Sequence, residues 1–362
     1  MSSALFQSIQ LRELELKNRI MLSPMCQYAA TDGRAGDWHL MHLGQFMVSG
    51  VGLVMIEMTN VQARGRITPR CLGLFNDDCE AALKRVIDYC RQLSATPIAI
   101  QLAHAGRKAS CNTPWQGRKR IPVDSGGWQT VGPSAISHSK DIPAPAQLSV
   151  SEIEQLIDDF VMAAQRADRL GIDAIELHGA HGYLLHQFLS PLANQRDDEF
   201  GGSREKRMRM PLRVFEAVRD TWPAHKPLGM RLSGIDWAEG GLQLEDTVAM
   251  ANALKQRGCD WVDVSSGGIS YAEDIHTGPG YQVPFAERVR AESGINTIAV
   301  GMITQPRQAE AIIADGQADM VALARGLLFN PRWPWHAALE LGVELEYHDR
   351  YKRCAPTNMN PF

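Results

Sequence analysis

The sequence predicts an α/β fold, a (β/α)8 TIM barrel built as one domain over residues 1–362. Eight short apolar runs alternate with amphipathic helical patterns, and eight parallel strands of this kind close into a barrel. No change in composition along the chain marks a second domain, and such barrels reach this length as single domains. Residues 106–148, rich in Gly, Pro and Ser, are too long for a plain loop and predict a lid inserted after the third strand.

Each predicted strand is a short β-branched or apolar run. The eight runs are Arg19–Leu22, Gly52–Glu57, Pro97–Gln101, Asp173–Leu177, Pro227–Leu232, Trp261–Val264, Thr297–Val300 and Asp319–Leu323. The most regular helical pattern covers about Glu152 to Leu170, where apolar residues recur every three or four positions. We expect Ser151 and Glu154 to form the capping box of this helix and Gly171 to follow its last turn.

Composition and charge exclude several classes of protein. The 37 lysines and arginines against 41 acids give a formal net charge of −4, which argues against nucleic acid or an anionic membrane as a partner. The apolar runs are much shorter than the ~20 residues that cross a bilayer, and the N-terminus lacks a signal-peptide pattern. Seven cysteines without a repeated short spacing fit a reducing compartment and no metal-ligand set. We expect a cytoplasmic protein with no bound metal.

Polar residues follow most of the predicted strands, at the end of the barrel that carries the active site in proteins of this fold. The residues at these strand ends, most of them polar, are in chain order Ser23, Pro24, Met25, Cys26, Gln27, Tyr28, Met58, Gln101, His178, His181, Tyr183, Arg231 and Ser265, followed by Gly301 and Arg325. They predict a polar site at the mouth of the barrel.

The last two strands are followed by Gly301 and by Ala324-Arg325-Gly326. Backbone N–H groups at these positions bind phosphate in many barrels, and an arginine adds charge-assisted hydrogen bonds. We therefore expect a phosphorylated cofactor or substrate here. The alternative is that the glycines only make tight turns and that Arg325 pairs with a surface carboxylate.

Two histidines, His178 and His181, follow the fourth strand, and Tyr183 comes two residues later. Three interpretations of the two histidines compete: metal ligands, buried structural residues, or paired N–H donors to an oxygen that becomes negative in the transition state. No third metal ligand accompanies the pair, so the donor interpretation is favoured. Tyr183 would then supply a proton.

Cys26 and Arg231 also have two interpretations each. Cys26 is either an inert thiol at the mouth or a nucleophile. Arg231 ends a strand inside the barrel, where an unpaired guanidinium is costly. It either neutralises an anion of the cofactor or substrate, or it pairs with Glu57.

These motifs, in this order and spacing, resemble the Old Yellow Enzyme flavoproteins, and among them the YqjM-like, or thermophilic-like, bacterial class. The resemblance covers essentially the whole chain. The matching segments are Ser23–Tyr28, Gly65–Thr68, Gln101–Lys108, His178–Tyr183, Phe200–Ser203, Asp263–Gly268, Pro279–Val283 and Val300–Met302.

The resemblance implies an FMN cofactor that is reduced by NADPH or NADH and passes a hydride to the β-carbon of an α,β-unsaturated carbonyl compound, in ping-pong turnover. The implied flavin contacts are Ser23, Pro24, Met25, Cys26, Met58, Gln101, Arg231, Ser265, Gly301, Met302, Ala324 and Arg325. Among them, Cys26 would tune the flavin potential and Arg231 would stabilise the reduced ring. The implied substrate contacts are Tyr28, His178 and His181, and Tyr183 would protonate the α-carbon.

The same class implies a homodimer or a dimer of dimers in which a C-terminal arginine reaches the partner's active site. Arg353, within the tail 347–362, is the candidate. Two features depart from the family: Met58 replaces a small residue beside the flavin, and nine residues follow Arg353. The alternatives are a flavin reductase of enoyl- or aromatic-CoA esters and a flavin-free, phosphate-binding barrel lyase.

Overall fold

The computed structural model describes residues 3–140 and 142–355. Its centre is a closed barrel of eight parallel strands with helices outside. Neighbouring barrel strands follow one another in the chain, and the last strand pairs with the first. The predicted (β/α)8 barrel is therefore confirmed.

All eight predicted strands are present, with ends within three residues of those expected. In chain order the strands are β1 (Ile9–Leu11), β2 (Leu14–Leu16), β3 (Ile20–Leu22), β4 (Leu53–Asn60), β5 (Ile98–Ala103), β6 (Val131–Gly132), β7 (Ala146–Gln147), β8 (Ala174–Gly179), β9 (Leu228–Ser233), β10 (Trp261–Ser265), β11 (Asn296–Ala299) and β12 (Met320–Leu323). The barrel order is β3-β4-β5-β8-β9-β10-β11-β12. The hairpin β1–β2 packs against the apolar residues inside the barrel.

One or two helices follow each barrel strand. They are α1 (Asp37–Met47), α2 (Asp77–Leu93), α3 (Val150–Arg169), α4 (Leu184–Leu189), α5 (Arg204–Thr221), α6 (Leu244–Gln256), α7 (Val283–Ser293), α8 (Pro306–Ala314), α9 (Arg325–Phe329) and α10 (Trp333–Leu341). Short 3₁₀ helices cover Ala63–Gly65, Gly106–Lys108, Pro114–Gln116, Val123–Ser125 and Asp349–Cys354. Within residues 3–140 and 142–355, none of the helices combines the length and the apolar character needed to span a membrane.

Helix α3 confirms the predicted amphipathic helix, but its first turn differs from the expectation. Ser149 is the N-cap: its hydroxyl accepts the N–H of Glu152 (3.2 Å), and the Glu152 carboxylate accepts the N–H of Ser149 (3.0 Å). The predicted box of Ser151 and Glu154 is wrong, because Ser151 already lies inside the helix. Gly171 follows the last turn with φ +71°, as expected.

Residues 106–148 form the segment that the sequence predicts as a lid. It contains three of the 3₁₀ helices and the parallel pair β6–β7. The segment reaches the mouth of the barrel, where the rings of Trp115 and Tyr28 meet edge-on with centres 5.8 Å apart. Its action as a lid remains a prediction.

The barrel interior changes from apolar to polar along its axis. The half nearer the strand N-termini is filled by apolar side chains, including Met21, Met55 and Trp261. The indole of Trp261 fits only because residue 229 on the neighbouring strand is glycine: a Cβ there would overlap the ring. Towards the strand C-termini the interior holds buried charged and polar groups, so the chemistry is confined to that end.

Gly229→Ala is expected to destabilise the fold by about 1–3 kcal/mol, because the added methyl group must displace the Trp261 indole in a close-packed interior. Urea unfolding measures this change. Gly278→Ala is the matched control, since a Cβ there meets no atom within 4 Å. Equal stabilities of the two variants would show that the interior around Trp261 is not tightly packed.

Candidate active site

The loop after β3, which carries four of the predicted flavin contacts, is held by β4. The N–H of Gln27 donates to Oε2 of Glu57 (2.8 Å), and Oε1 of Glu57 lies 3.2 Å from Nε2 of His39. Tyr28, at the end of the loop, has a left-handed backbone with φ +51°. Glu57 therefore serves this loop and is not the partner of Arg231. The residues that it helps to place are Ser23, Pro24, Met25 and Cys26.

Arg231 pairs with an aspartate that sequence analysis missed. Its Nε lies 3.2 Å from Oδ2 of Asp263 on β10, and its Nη1 donates to Oγ of Ser23 (3.4 Å). The guanidinium is 5% exposed and the carboxylate 0%. Strand pairing places Asp263 and His178 on either side of Arg231. The sequence signal for this partner was an acidic residue within a predicted apolar strand, in Val262-Asp263-Val264.

One layer deeper, Glu176 is a second fully buried acid that sequence analysis missed. Its Oε1 accepts from Nε2 of Gln101 (2.8 Å), and its Oε2 accepts from the indole N–H of Trp261 (3.1 Å). Burial, and then the charge of Asp263, raise the pKa of Glu176 to about 8. Glu176 therefore keeps its proton at neutral pH, so no second negative charge lies next to the ion pair of Arg231 and Asp263.

His178 and His181 contact each other as two neutral imidazoles. Burial, and then the charge of Arg231, lower both pKa values well below the ordinary range. Nδ1 of His178 accepts the N–H of Ala180 (3.2 Å), which assigns its proton to Nε2. That Nε2 lies 3.3 Å from Nδ1 of His181, so the proton of His181 is assigned to Nε2, 2.7 Å from Oγ of Ser265. Each ring thus carries one N–H donor on Nε2.

Tyr183 lies beside the histidine pair, with its ring edge-on against His178 and the ring centres 5.0 Å apart. Burial, followed by the neighbouring Cys26 and Tyr28, raises the pKa of Tyr183 well above its ordinary value, so its hydroxyl stays protonated. Burial also raises the pKa of Cys26, which is a thiol and not a reactive thiolate. These side chains pack on one apolar wall of the mouth, made of Cys26, Tyr28, Met58, Ile67, Cys71 and Tyr183.

The residues predicted to bind phosphate lie at the ends of the adjacent strands β11 and β12. Gly301 has φ +122°, and a Cβ there would lie 2.8 Å from the Gln282 amide, so glycine is required. Met302 has φ +51° and Ala324 precedes α9. Arg325 is exposed, and within the described residues it forms no ion pair with a carboxylate.

Arg353 is not brought to the site of its own chain. It is exposed in the 3₁₀ helix Asp349–Cys354, and the neighbouring Tyr351 packs on Trp335 of α10. The preceding residues 343–349 line a cavity together with residues 47–52 and 93–97, which lead into the N-terminal ends of β4 and β5. The tail therefore leaves the barrel at the end opposite to the mouth. Residues 356–362 of the predicted tail lie outside the described residues.

Comparison with known proteins identifies the family. Residues 4–344 match the NADH:flavin oxidoreductase / NADH oxidase family. The chain belongs to this family. An NADPH dehydrogenase from Geobacillus sp. is 43% identical over 355 residues, which cover 98% of this chain and 99% of that protein. An NADH:flavin oxidoreductase from Gibberella zeae is 43% identical, with 95% of this chain and 87% of that protein covered.

Two solved structures show the same barrel. Morphinone reductase superposes with a TM-score of 0.78 at 29% identity, covering 96% of this chain and 92% of its own. A 2-naphthoyl-CoA reductase gives 0.84 at 23% identity, a likeness of fold alone, and this chain spans 52% of its length. The chain is an FMN-dependent NAD(P)H oxidoreductase of the Old Yellow Enzyme type. A flavin-free lyase is not supported.

Glu176→Gln is expected to remove a pH dependence of stability. The folded protein holds the Glu176 proton to about pH 8, whereas the unfolded chain releases it near pH 4.5. At this residue the unfolded state therefore binds fewer protons in this window, so the contribution of Glu176 to stability falls as pH rises, by up to about 1.4 kcal/mol per pH unit. Gln keeps both hydrogen bonds if the Gln101 amide turns over.

Urea unfolding of the wild type and of Glu176→Gln between pH 5 and pH 8 (about the window above) measures this slope. Glu239→Gln, which removes an exposed carboxylate, is the matched control and should keep the wild-type slope. The assignment of a proton to Glu176 is wrong if Glu176→Gln has the same slope of stability with pH as the wild type.

Proposed function

We propose that this enzyme is an ene-reductase that acts on α,β-unsaturated carbonyl compounds, with NADPH or NADH as hydride source and ping-pong turnover. The observation that carries the proposal is the cluster of two neutral N–H donors, His178 and His181, which contact each other, with the protonated Tyr183 packed against His178 at the barrel mouth. The names of the similar proteins support the nicotinamide, and one solved complex of morphinone reductase contains tetrahydroNAD.

The residues at the mouth fit FMN. A guanidinium has five N–H groups. Among the described residues, the guanidinium of Arg231 contacts Asp263 through Nε and Ser23 through Nη1. Its remaining N–H groups can donate to the electron-rich edge of a flavin. Gly301 keeps the backbone after β11 open for a phosphate. FMN, when bound, supplies the site that accepts and then donates the hydride. The residues proposed to hold it are Ser23, Pro24, Met25, Cys26, Met58, Gln101, Arg231, Ser265, Gly301, Met302, Ala324 and Arg325.

The histidine pair is proposed to bind the carbonyl oxygen of the substrate. Hydride addition at the β-carbon turns this oxygen into an enolate oxygen, and N–H donors aimed at it stabilise the transition state more than the ground state. Neutral imidazoles donate without giving up a proton to the enolate. A bound carbonyl would replace Nδ1 of His181 as the acceptor for Nε2–H of His178, and Oγ of Ser265 as the acceptor for Nε2–H of His181.

Tyr183 is proposed to protonate the α-carbon. Its raised pKa keeps the hydroxyl proton in place until the enolate, a strong base, is formed. Tyr28, edge-on to Trp115, and Met58 bound the same space. These side chains are proposed to shape the alkene site.

We propose that the assembly is a homodimer or a dimer of dimers, with Arg353 reaching the partner's mouth. An apolar surface supports a contact between copies: Trp38 and Met41 are exposed on α1, and Phe329 is 94% exposed after β12. These elements are neighbours, because Arg332 donates to the carbonyl of Gln45 on α1. A monomer in sedimentation equilibrium would contradict this assembly.

The proposed function is tested by anaerobic absorption spectroscopy of the desalted protein. We expect a flavin band that bleaches on addition of NADPH and returns on addition of 2-cyclohexenone. A protein that stays colourless after incubation with FMN, or a bleached band that the enone does not restore, would refute it.

His178→Ala is expected to keep FMN and its reduction by NADPH, while reoxidation by the enone slows by about 10²–10³, the usual effect of losing one oxyanion donor. Binding of a phenol, whose oxygen would sit between the same donors, should be lost as well. Stopped-flow spectroscopy measures both half-reactions. His225→Ala, at an exposed position, is the control and should match the wild type. Reoxidation at the wild-type rate in His178→Ala would remove this histidine from the mechanism.

A further inference from the structure

Lys108 ends the 3₁₀ turn after β5, and its ammonium group lies against Tyr183. Its Nζ donates to the carbonyl oxygens of His181 (2.8 Å) and Gly268 (2.7 Å), and it lies 5.2 Å from the centre of the Tyr183 ring. Two fixed carbonyls thus hold this cation in place beside the tyrosine.

The charge of Lys108 is not neutralised by a carboxylate. Across residues 3–140 and 142–355, no carboxylate lies within ion-pair distance of its Nζ. Glu273 is the acid whose charge acts on Lys108, but its oxygens accept the backbone N–H groups of Gly268, Ile269 and Ser270. The cation therefore remains available to the ring that it faces.

We propose that Lys108 is the positioning residue that makes Tyr183 an effective proton donor to the alkene. This inference rests on the proposed function. The Tyr183 O–H bond breaks, its proton forms the new C–H bond at the α-carbon with the electron pair of the enolate, and a phenolate remains. Water later returns a proton to this phenolate. A buried phenolate is costly, and a cation against its ring stabilises it.

The same contacts have a structural effect that the test must separate from the electrostatic one. His181 has φ +58° and Gly268 has φ +91°. The hydrogen bonds of Lys108 therefore also stabilise two residues whose backbone has a left-handed conformation. A purely structural role would act through His181 and would persist without Tyr183. The proposed role disappears when Tyr183 has no hydroxyl.

The experiment compares wild type with Lys108→Met in three anaerobic stopped-flow reactions: reduction by NADPH, reoxidation by 2-cyclohexenone, and reoxidation by ferricyanide. Only the enone needs a proton at carbon. We expect its reaction to slow by about tenfold or more, while the other two stay within about twofold. Lys119→Met removes an exposed cation of the same segment, is the matched control, and should leave all three rates unchanged.

The double variant decides between the two roles. Lys108→Met in a Tyr183→Phe background should react with the enone as fast as Tyr183→Phe alone, because the phenolate is then absent. Lys108→Arg, which keeps the charge, should restore most of the rate. If Lys108→Met slows the enone reaction by the same factor in both backgrounds, the inference is overturned. If wild type is not reoxidised by the enone, the proposed function fails and this inference fails with it.

A pH profile gives an independent readout. Burial lowers the pKa of Lys108 to about 8, so the wild-type enone rate should fall above that pH, and the fall should be absent in Lys108→Arg. The groups that face Lys108 are Glu273, Arg107, Arg118, Cys111, His138, His178 and His181. The three histidines have lowered pKa values and Cys111 a raised one, so none of these four accounts for a loss near pH 8. Because the pKa of Glu176 is also raised to about 8, both proteins are compared in the Glu176→Gln background, where an equal fall in Lys108→Arg would overturn the inference.

Discussion

The buried ion pair between Arg231 and Asp263 is the interaction on which the site depends. A guanidinium inside a barrel is tolerated only with a carboxylate close to it, and Asp263 on the adjacent strand meets this need. After burial, the positive charge of Arg231 is the next largest cause that lowers the pKa values of His178 and His181, so both imidazoles stay neutral. The pair also ties the loop after β3 to β9 through Ser23. The neutral state of the histidines and the position of Ser23 therefore both depend on this ion pair.

Each buried acid near the mouth has a separate task, and its surroundings set that task. Glu57 accepts a backbone N–H and so shapes a loop. Asp263 balances a cation. Glu176, one layer deeper, accepts from an amide and an indole, and burial, followed by the charge of Asp263, raises its pKa so that it retains its proton. Residue type alone does not separate these roles; depth and neighbours do.

Much of the fold could be predicted from the sequence, because eight apolar runs and their alternation with helices are local patterns. The error at the start of α3 has a local cause: Ser149 and Ser151 are each followed by glutamate three residues later, and only the backbone of the turn selects the first. The strand β4 continues past its apolar run to Asn60 because it pairs with β5 beyond an irregularity at Ile56–Thr59. The identity of the residue that pairs with Arg231 depends on the register between β9 and β10, which a single sequence does not reveal. Lys108 was missed as an interacting side chain because its contacts come from segments far apart in the chain.

The packing of Trp261 against Gly229 has a consequence for how the enzyme is used. The indole and its apolar neighbours fill the half of the barrel nearer the strand N-termini, so a ligand reaches the polar half from the mouth. On the proposed function, the nicotinamide and the alkene would both reach the bound flavin through this mouth, one after the other. The two reactants would then compete for the same space, and an excess of either one would slow turnover.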